Sequence, residues 1–310
     1  MAAISPPAGT ARLGSRRVAR VGYGAMNVAT PPIEDAVALL RRAVELGINH
    51  IDTASFYGDG EVNRRIWRAL APYPEDLVIV SKVGARSVPG AEVPLTLAQK
   101  PTELRASVEL DLETLGLDQI PVVNLRRADI GPGLLAEGDQ QVDLDDQLAE
   151  LIALRDEGKI GAIGISNVPL ATVRRAVPAG IVCVQNAYNL LDRTHEDGLR
   201  FCAANDIAWA PYFPLGSGFP GFPKVADNPV VTRIATEVDA LPAQVGLAWL
   251  LAHSPAILLI PGTGSVGHVE ENVAAGAITL SEKAIADLDA VPSPTSANGD
   301  GVQPFLDEGR

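Results

Sequence analysis

The chain has 310 residues, 47% of them hydrophobic, and a net charge of −13. That length suits one substantial core, and α/β barrels use it as a single domain, so residues 1–310 are read as one unit. The acidity argues against a nucleic-acid partner, which needs a concentrated field of Lys and Arg; Arg12, Arg16, Arg17, Arg20 and Arg41 come without interleaved aromatics. No run approaches the roughly 18 to 20 apolar residues needed to cross a bilayer, so no membrane partner is expected. The opening M-A-A-I-S-P-P does not read as a secretory signal, and Cys183 and Cys202 suggest neither a disulfide framework nor a zinc site. A cytoplasmic, metal-free protein is the expectation.

In chain order, Arg12–Arg20 predicts a small hairpin around Gly14-Ser15 that plugs one end of the fold. Short apolar runs then predict strands at Ala19–Gly22, Ile48–Asp52, Leu77–Ser81, Gln119–Asn124, Gly161–Ser166, Val182–Asn186, Ile207–Pro211 and Ile257–Pro261. Helices are predicted between them at Ile33–Leu46, Glu61–Leu70, Thr102–Leu115, Leu144–Glu157, Leu170–Ala176 and Glu196–Ala204, then at Ala240–Ala252, Val269–Ala275 and Ser281–Ala290. In Thr102–Leu115, Leu104, Val108, Leu112 and Leu115 share one face at the helical period. Strands alternating with helices favour a parallel sheet, and eight of them can close as a (β/α)₈ TIM barrel. An open doubly wound sheet is the competitor, but its G-x-G-x-x-G fingerprint fails at Asn27. The long Ser87–Pro101 and Arg127–Asp143 connections read as substrate-gating loops or as plain surface loops.

Barrel active sites gather at the carboxyl ends of strands. Asp52 ends the second strand, Tyr57 sits in the loop after it, and Lys82 ends the third. Converged, Asp52 holds Lys82, whose charge favours ionisation of a tyrosine with a free pKa near 10. The phenol can then give its proton to a carbonyl as hydride arrives on carbon. Singly, each residue has a plainer role, as a turn cap, a rim aromatic or a snorkelling lysine; their order across neighbouring strands is what points to chemistry.

The remaining strand ends read as a nucleotide platform. Ser166, Asn167 and Gln185 offer a hydroxyl and amides to a nicotinamide carboxamide, and Tyr212 offers a ring face. The plainer alternatives are Gln185 as a satisfier of buried backbone groups and Tyr212 as rim packing. Leu215, Gly216 and Ser217 let the chain pass close to a pyrophosphate. Gly262, Thr263 and Ser265 lie in a phosphate-facing turn, and Glu271 and Asn272 can recognise adenosine. Phe56, Phe213 and Phe219 can wall the pocket. His50, His195 and His253 read as packing, helix-start and helix-end residues.

Taken together, G-Y-G-A-M, G-I-N-H-I-D-T-A-S-F-Y-G, V-S-K, G-K-I-G-A-I-G-I-S-N, Q-N-A-Y-N and I-P-G-T-G-S-V-G-H-V-E-E-N make nearly the whole chain resemble the aldo-keto reductases. The resemblance implies a nicotinamide-dependent (β/α)₈ oxidoreductase, monomeric or weakly oligomeric, that reduces aldehydes and ketones, usually with NADPH. It maps the family's catalytic Asp, Tyr and Lys onto Asp52, Tyr57 and Lys82. Two departures stand out. Where the family has His in L-x-x-L-H-x-P, V-V-N-L-R-R-A carries Arg126, which cannot act as a neutral imidazole but can donate charge-assisted bonds to a carbonyl. Where NADPH-binding members carry Lys and Arg, this chain has Gly262 and His268, which leaves NADH or dual use open. Related branches include pyridoxal reductase-like proteins. Sugar aldehydes, pyridoxal, steroids and small reactive aldehydes all remain as substrates for a reductase, and a non-catalytic nicotinamide-binding regulator remains as the other class of function.

Overall fold

Strand residues alternate between the barrel interior and the surrounding helices, and that alternation decides which side chains can meet at one end of the barrel. The computed structural model describes residues 6–91, 95–131, 134–216 and 222–293. A hairpin of β1 (Thr10–Leu13) and β2 (Arg16–Ala19) comes first, pairing Leu13 with Arg16 across Gly14 and Ser15. The parallel strands then follow: β3 (Tyr23–Gly24), β4 (His50–Asp52), β5 (Val78–Val83), β8 (Ile120–Arg126), β9 (Ile160–Ser166), β10 (Cys183–Gln185) and β11 (Ala208–Trp209). They lie side by side in the order β11-β10-β9-β8-β5-β4-β3.

Residues 256–262 supply the eighth stave. Trp209 N donates to Ala256 O and Leu258 N to Trp209 O, at 2.9 and 2.8 Å, while Leu259 N donates to Arg20 O and Gly22 N to Leu259 O, both at 2.8 Å. Parallel bridges join Val21 to Leu259 and Gly24 to Gly262 on one side and Trp209 to Ile257 on the other. The ring therefore closes as a (β/α)₈ barrel. Its first stave extends to Gly24, past the Ala19–Gly22 span expected: Arg20–Gly22 pair with Leu259, and Tyr23–Gly24 continue the pairing to Ile51, Asp52 and Gly262.

The interior is filled by Val78, Val80, Val122, Cys183, Ala208, Ala210, Leu258 and Ile260, with Leu13 and Val18 of the hairpin packed on them as the plug. Outside, α1 (Ile33–Glu45), α2 (Glu61–Leu70), α3 (Pro101–Leu115), α4 (Leu144–Asp156), α5 (Leu170–Ala176) and α6 (Glu196–Ala204) cover the sheet. In α1, Ala36, Leu40 and Ala43 recur at helical spacing and are buried. Among the described residues, two strands and an α-helix lie outside the predicted set. A short antiparallel hairpin, β6 (Ala85–Ser87) with β7 (Leu95–Leu97), occupies the connection expected to be loop. Helix α7 (Pro229–Glu237) begins at Asn228, whose side chain accepts from Val230 N, with Pro229 at the first helical position, both ordinary helix-start signals. It precedes α8 (Pro242–His253); α9 (Val266–Ala274) and α10 (Glu282–Asp289) end the described fold.

At the closing seam the two backbones nearly touch: a Cβ on Gly24 would sit 2.6 Å from Ile260 O. Gly24→Ala should therefore lower stability by about 1–3 kcal/mol, the usual cost of overpacking, with no change in urea m-value. Gly131→Ala, where a Cβ meets nothing within 4 Å, serves as the control. Equal urea midpoints for the two variants would contradict the closure.

Candidate active site

Because β4 and β5 are parallel with Asp52 opposite Val80, Lys82 rises one interior position beyond Asp52 and reaches back to it. Lys82 Nζ donates to Asp52 Oδ1 at 2.5 Å and to Thr53 O at 2.9 Å. From across the barrel, Gln185 Nε2 donates to Asp52 Oδ2 at 2.8 Å. Each of the paired side chains is only 6% exposed. Burial opposes the ammonium, but Asp52 and Tyr57 outweigh it and hold the Lys82 pKa above its usual value.

Tyr57 is half-buried in the turn leading to α2. Its N–H donates to Ala54 O at 3.1 Å, and the turn continues through Gly58, Asp59 and Gly60, all at positive φ. The Lys82 ammonium stands 4.8 Å from the centroid of its ring, and Phe56 meets that ring edge-on at 5.1 Å. The structure thus brings Asp52, Tyr57 and Lys82 together, with Phe56 as an apolar wall.

Arg126 ends β8 opposite Ser166 of β9. Its carbonyl accepts from Gln99 Nε2 at 2.9 Å, and Gln99 also bonds Gly84 O, at 2.6 Å. Gly84, at φ +109°, allows that approach; a Cβ there would lie 2.2 Å from Arg126 O. Gln147 Nε2 holds Gln99 in turn, at 2.7 Å from its carbonyl oxygen. The two neighbouring arginines then differ sharply. Arg127 is spent on Asp129 at 2.6 and 2.9 Å, on Gln147 Oε1 and on Val142 O. Arg126 keeps a buried Nη1 with no hydrogen-bond partner among the described residues, a costly state for a cationic donor.

The nucleotide candidates occupy the other strand ends, several already bonded to protein. Ser166 O accepts from Arg127 N at 3.0 Å. Asn167, at φ +60°, donates from Nδ2 to Arg127 O and Ile130 O at 3.1 and 2.7 Å, and its Oδ1 accepts from the Tyr212 hydroxyl at 2.9 Å. Burial pushes the Tyr212 phenol up to about 12, against the opposing pull of Arg126. Phe213 lies edge-on to Tyr212 at 5.0 Å. Leu215 O accepts from Val225 N at 3.1 Å, and Gly216 follows at φ +86°. Ser217 and Phe219 lie outside the described residues.

The turn after the eighth stave is braced by Tyr23, whose hydroxyl donates to Thr263 O at 2.5 Å. Gly262 crosses Gly24 so closely that a Cβ would meet its carbonyl oxygen at 2.9 Å. Thr263 Oγ1 accepts from Ser265 N at 3.1 Å and lies 3.2 Å from His268 Nδ1. Helix α9 starts behind Ser265 without a side-chain cap or an acidic residue in its first turn, so its N-terminal N–H groups suit an anion. Glu271 and Asn272 follow on α9, the carbonyl of Glu271 accepting from Gln244 Nε2 at 2.9 Å. The predicted phosphate turn thus fits a nucleotide phosphate: close backbone, exposed glycine and an uncapped helix start. Elsewhere His50 fills the barrel against Gly22, its imidazole lowered to about 4 by burial, and His195 and His253 sit at the start of α6 and the end of α8. Among the described residues no helix is long and apolar enough to cross a membrane, and no three metal-ligating side chains gather.

One group escaped the sequence reading. Asp111 on α3 is fully buried, accepting from Asn63 Nδ2 and Ser81 Oγ, both at 2.8 Å. Asn63 Oδ1 accepts in turn from Thr53 Oγ1 at 2.7 Å. The signal was present: Asp111 stands seven residues after Leu104 and three after Val108, on the buried stripe of α3. Burial pushes its carboxyl from 3.8 up to about 7, although Ser81, Asn63 and Lys82 pull the other way.

A carboxyl raised on folding contributes stability that is complete below its unfolded pKa and lost as pH rises through the folded one. Between 3.8 and about 7, at 1.36 kcal/mol per pH unit, that loss is on the order of 4 kcal/mol. Asp111→Asn should therefore gain on the parent protein by a few kcal/mol as urea unfolding is moved from about pH 5 to about pH 8. A difference that stays constant with pH would show that the carboxyl does not titrate there.

The Aldo/keto reductase family profile matches residues 20–292. Pyridoxine 4-dehydrogenase of Escherichia coli (strain K12) is 42% identical over 290 residues, covering 91% of this chain and 98% of that one. An uncharacterized oxidoreductase of Schizosaccharomyces pombe is 36% identical over 292 residues, covering 91% and 89%. Among solved structures, an aldo-keto reductase from Klebsiella pneumoniae in complex with NADPH superposes with a TM-score of 0.76 at 27% identity, covering 92% of this chain and 95% of that one. With the closed barrel and the residues at its carboxyl end, these matches establish that the chain belongs to the aldo/keto reductase family and is an oxidoreductase.

Proposed function

We propose that this protein reduces the carbonyl group of an aldehyde or ketone with NADPH, and that Tyr57 is the proton donor. The observation that carries the reading is the half-buried Tyr57 ring 4.8 Å from an ammonium that is itself locked to Asp52 and Thr53. NADPH, when bound, supplies the hydride. Ser166, Asn167, Gln185 and Tyr212 are the residues to hold its nicotinamide end. Leu215, Ser217, Gly262, Thr263, Ser265, Glu271 and Asn272 are those for its phosphates and adenosine, with the α9 N-terminus receiving negative charge. Lacking the permanent cations that Gly262 and His268 replace, the chain keeps NADH as a second cofactor.

Chemistry at the substrate then falls to four side chains. The Tyr57 hydroxyl passes its proton to the substrate oxygen, and Lys82 places positive charge against the ring that becomes anionic. Asp52 holds Lys82 in that place. Arg126 donates from Nη1 to a substrate oxygen, the partner that nitrogen lacks among the described residues. In the reverse direction the same hydroxyl site takes a proton from an alcohol. The 42% identity to a pyridoxine 4-dehydrogenase over 98% of that chain makes pyridoxal and pyridoxine the leading substrate pair, and the phenolate oxygen on the pyridine ring of pyridoxal is a suitable acceptor for Arg126. From the sequence we also infer a cytoplasmic location and a monomer or weak homo-oligomer.

Tyr57→Phe should lower kcat by about 10²- to 10⁴-fold, the range for a lost general acid, while NADPH affinity measured by fluorescence stays near that of the parent. Undiminished turnover would remove Tyr57 from the role; NADPH binding with no turnover by either protein across a carbonyl panel would instead favour a regulatory binder. Arg126→Met should cost about 10- to 100-fold in kcat/KM for pyridoxal, the weight of a hydrogen bond to a charged group, and much less for uncharged 4-nitrobenzaldehyde. An equal loss on both substrates would contradict the contact with an anionic oxygen.

A further inference from the structure

A carboxylate is a costly way to accept two hydrogen bonds in a buried site, because a neutral amide or hydroxyl can take part in the same bonds without losing the hydration of a charge. Asp111 does so with neutral partners, the Asn63 amide and the Ser81 hydroxyl at 2.8 Å, with the buried Ser55 hydroxyl also bearing on it. Those partners are not scattered. Ser81 immediately precedes Lys82 in β5, and Asn63 bonds Thr53, which immediately follows Asp52. By alternation, Asp52 and Lys82 face the barrel interior while Thr53 and Ser81 face the helices. Asp111 therefore stands directly behind the ion pair and ties together the outer sides of the two strand ends that carry it. Thr53 joins both layers, since its hydroxyl enters the Asp111 network and its carbonyl accepts from Lys82 Nζ.

We infer that Asp111 is a positioning residue of the active site: its two oxygens clamp β4 to β5 from outside, and its negative charge acts on Lys82 from behind. Lys82 pulls on the Asp111 carboxyl, and by reciprocity an ionised Asp111 pulls on the ammonium. Other charges are placed elsewhere. Asp52 lies beyond Lys82 in the same ion pair, α2 presents the uncharged Asn63, and Thr114 on α3 is uncharged and also bonds Asn63. The charges that α4 turns toward α3, Glu150 and Glu157, are taken by Arg105. Ionised, Asp111 accepts through both oxygens and sets a negative charge behind Lys82; protonated, one oxygen becomes a donor and that charge is gone. The full clamp exists only above the carboxyl's titration, and turnover should rise through that point.

The kinetic arm of the test rests on the reductase reading; a second arm does not. With NADPH and pyridoxal, the parent enzyme's kcat should rise with an inflection near pH 7, and Asp111→Asn should lose the inflection. At about pH 8 the variant's kcat should fall about three- to tenfold, the size expected of a residue acting through its neighbours, with KM for NADPH near parental. A purely structural residue would lose stability and activity together, whereas this one should lose activity while its relative stability improves with pH. If the parent protein reduces no carbonyl substrate, the reductase reading fails, and [15N]lysine NMR decides the inference alone. The Lys82 ammonium signal, assigned by its absence in Lys82→Arg, should move with the Asp111 carboxyl titration followed by carbon NMR. The same wild-type measurement decides if Asp111→Asn does not fold. An unchanged pH profile in the folded variant, or a Lys82 signal indifferent to that titration, overturns the inference.

Discussion

A buried ammonium 2.5 Å from a buried carboxylate sets the terms for the rest of this barrel. At an effective dielectric near 20 their attraction is about 7 kcal/mol, while each ion forfeits several kcal/mol of hydration, so the pair by itself comes close to break-even. What decides the balance is the remaining hydrogen-bonding capacity. Gln185 takes the second oxygen of Asp52, and the Thr53 carbonyl takes a second Lys82 proton. Three staves, β4, β5 and β10, are thus committed to one ion pair. A slip of one residue in β4 or β5 would turn Asp52 or Lys82 out of the barrel and leave the other unpaired.

The same alternation divides labour between the two faces of the strands. Inward residues bring charges and one amide toward the mouth of the barrel: Asp52, Lys82 and Arg126, with Gln185 bonded to Asp52. Outward residues hold them there: Thr53 and Ser81 through Asp111, and Arg127 through Asp129 and Gln147. Arg126 itself has little room to shift, since its carbonyl is pressed against Gly84 and gripped by Gln99. Arg126 and Asp111 both incur a cost in the folded protein, one through an unmet donor and one through a charge without a cation of its own. Such costs concentrate where a site is prepared for something other than stability.

Much of this was legible in the sequence because strand ends are. I-N-H-I-D-T and V-I-V-S-K each present an apolar run that stops at a charged residue, and two such stops on successive parallel strands must lie near one another. The closing stave was legible for the same reason, as the apolar Ile257–Pro261 run after a helix. Asp111 shares the helical spacing of Leu104 and Val108, but an apolar stripe does not by itself show that an acidic residue on it is buried. Leu112 proves only partly buried, while Asp111 takes the inner position. Helix α7 carried its Asn228-Pro229 start signal but follows a stretch rich in Gly, Pro and Phe, without helical periodicity of its own. The internal bonds of Asn167 to Arg127, Ile130 and Tyr212 had no sequence signal, because they depend on how two loops fold over one another.

The central claim is that the Tyr57 hydroxyl, set by the Lys82–Asp52 pair, meets the substrate oxygen. A crystal structure of the protein with NADP and a bound unreactive carbonyl or carboxylate ligand tests it most directly. The ligand oxygen should lie within hydrogen-bond reach of the Tyr57 hydroxyl, on the side where Lys82 faces the ring and next to the reactive carbon of the nicotinamide. A ligand oxygen seated away from Tyr57, with the phenol turned to bulk water and Lys82 still bound to Asp52, would contradict the account.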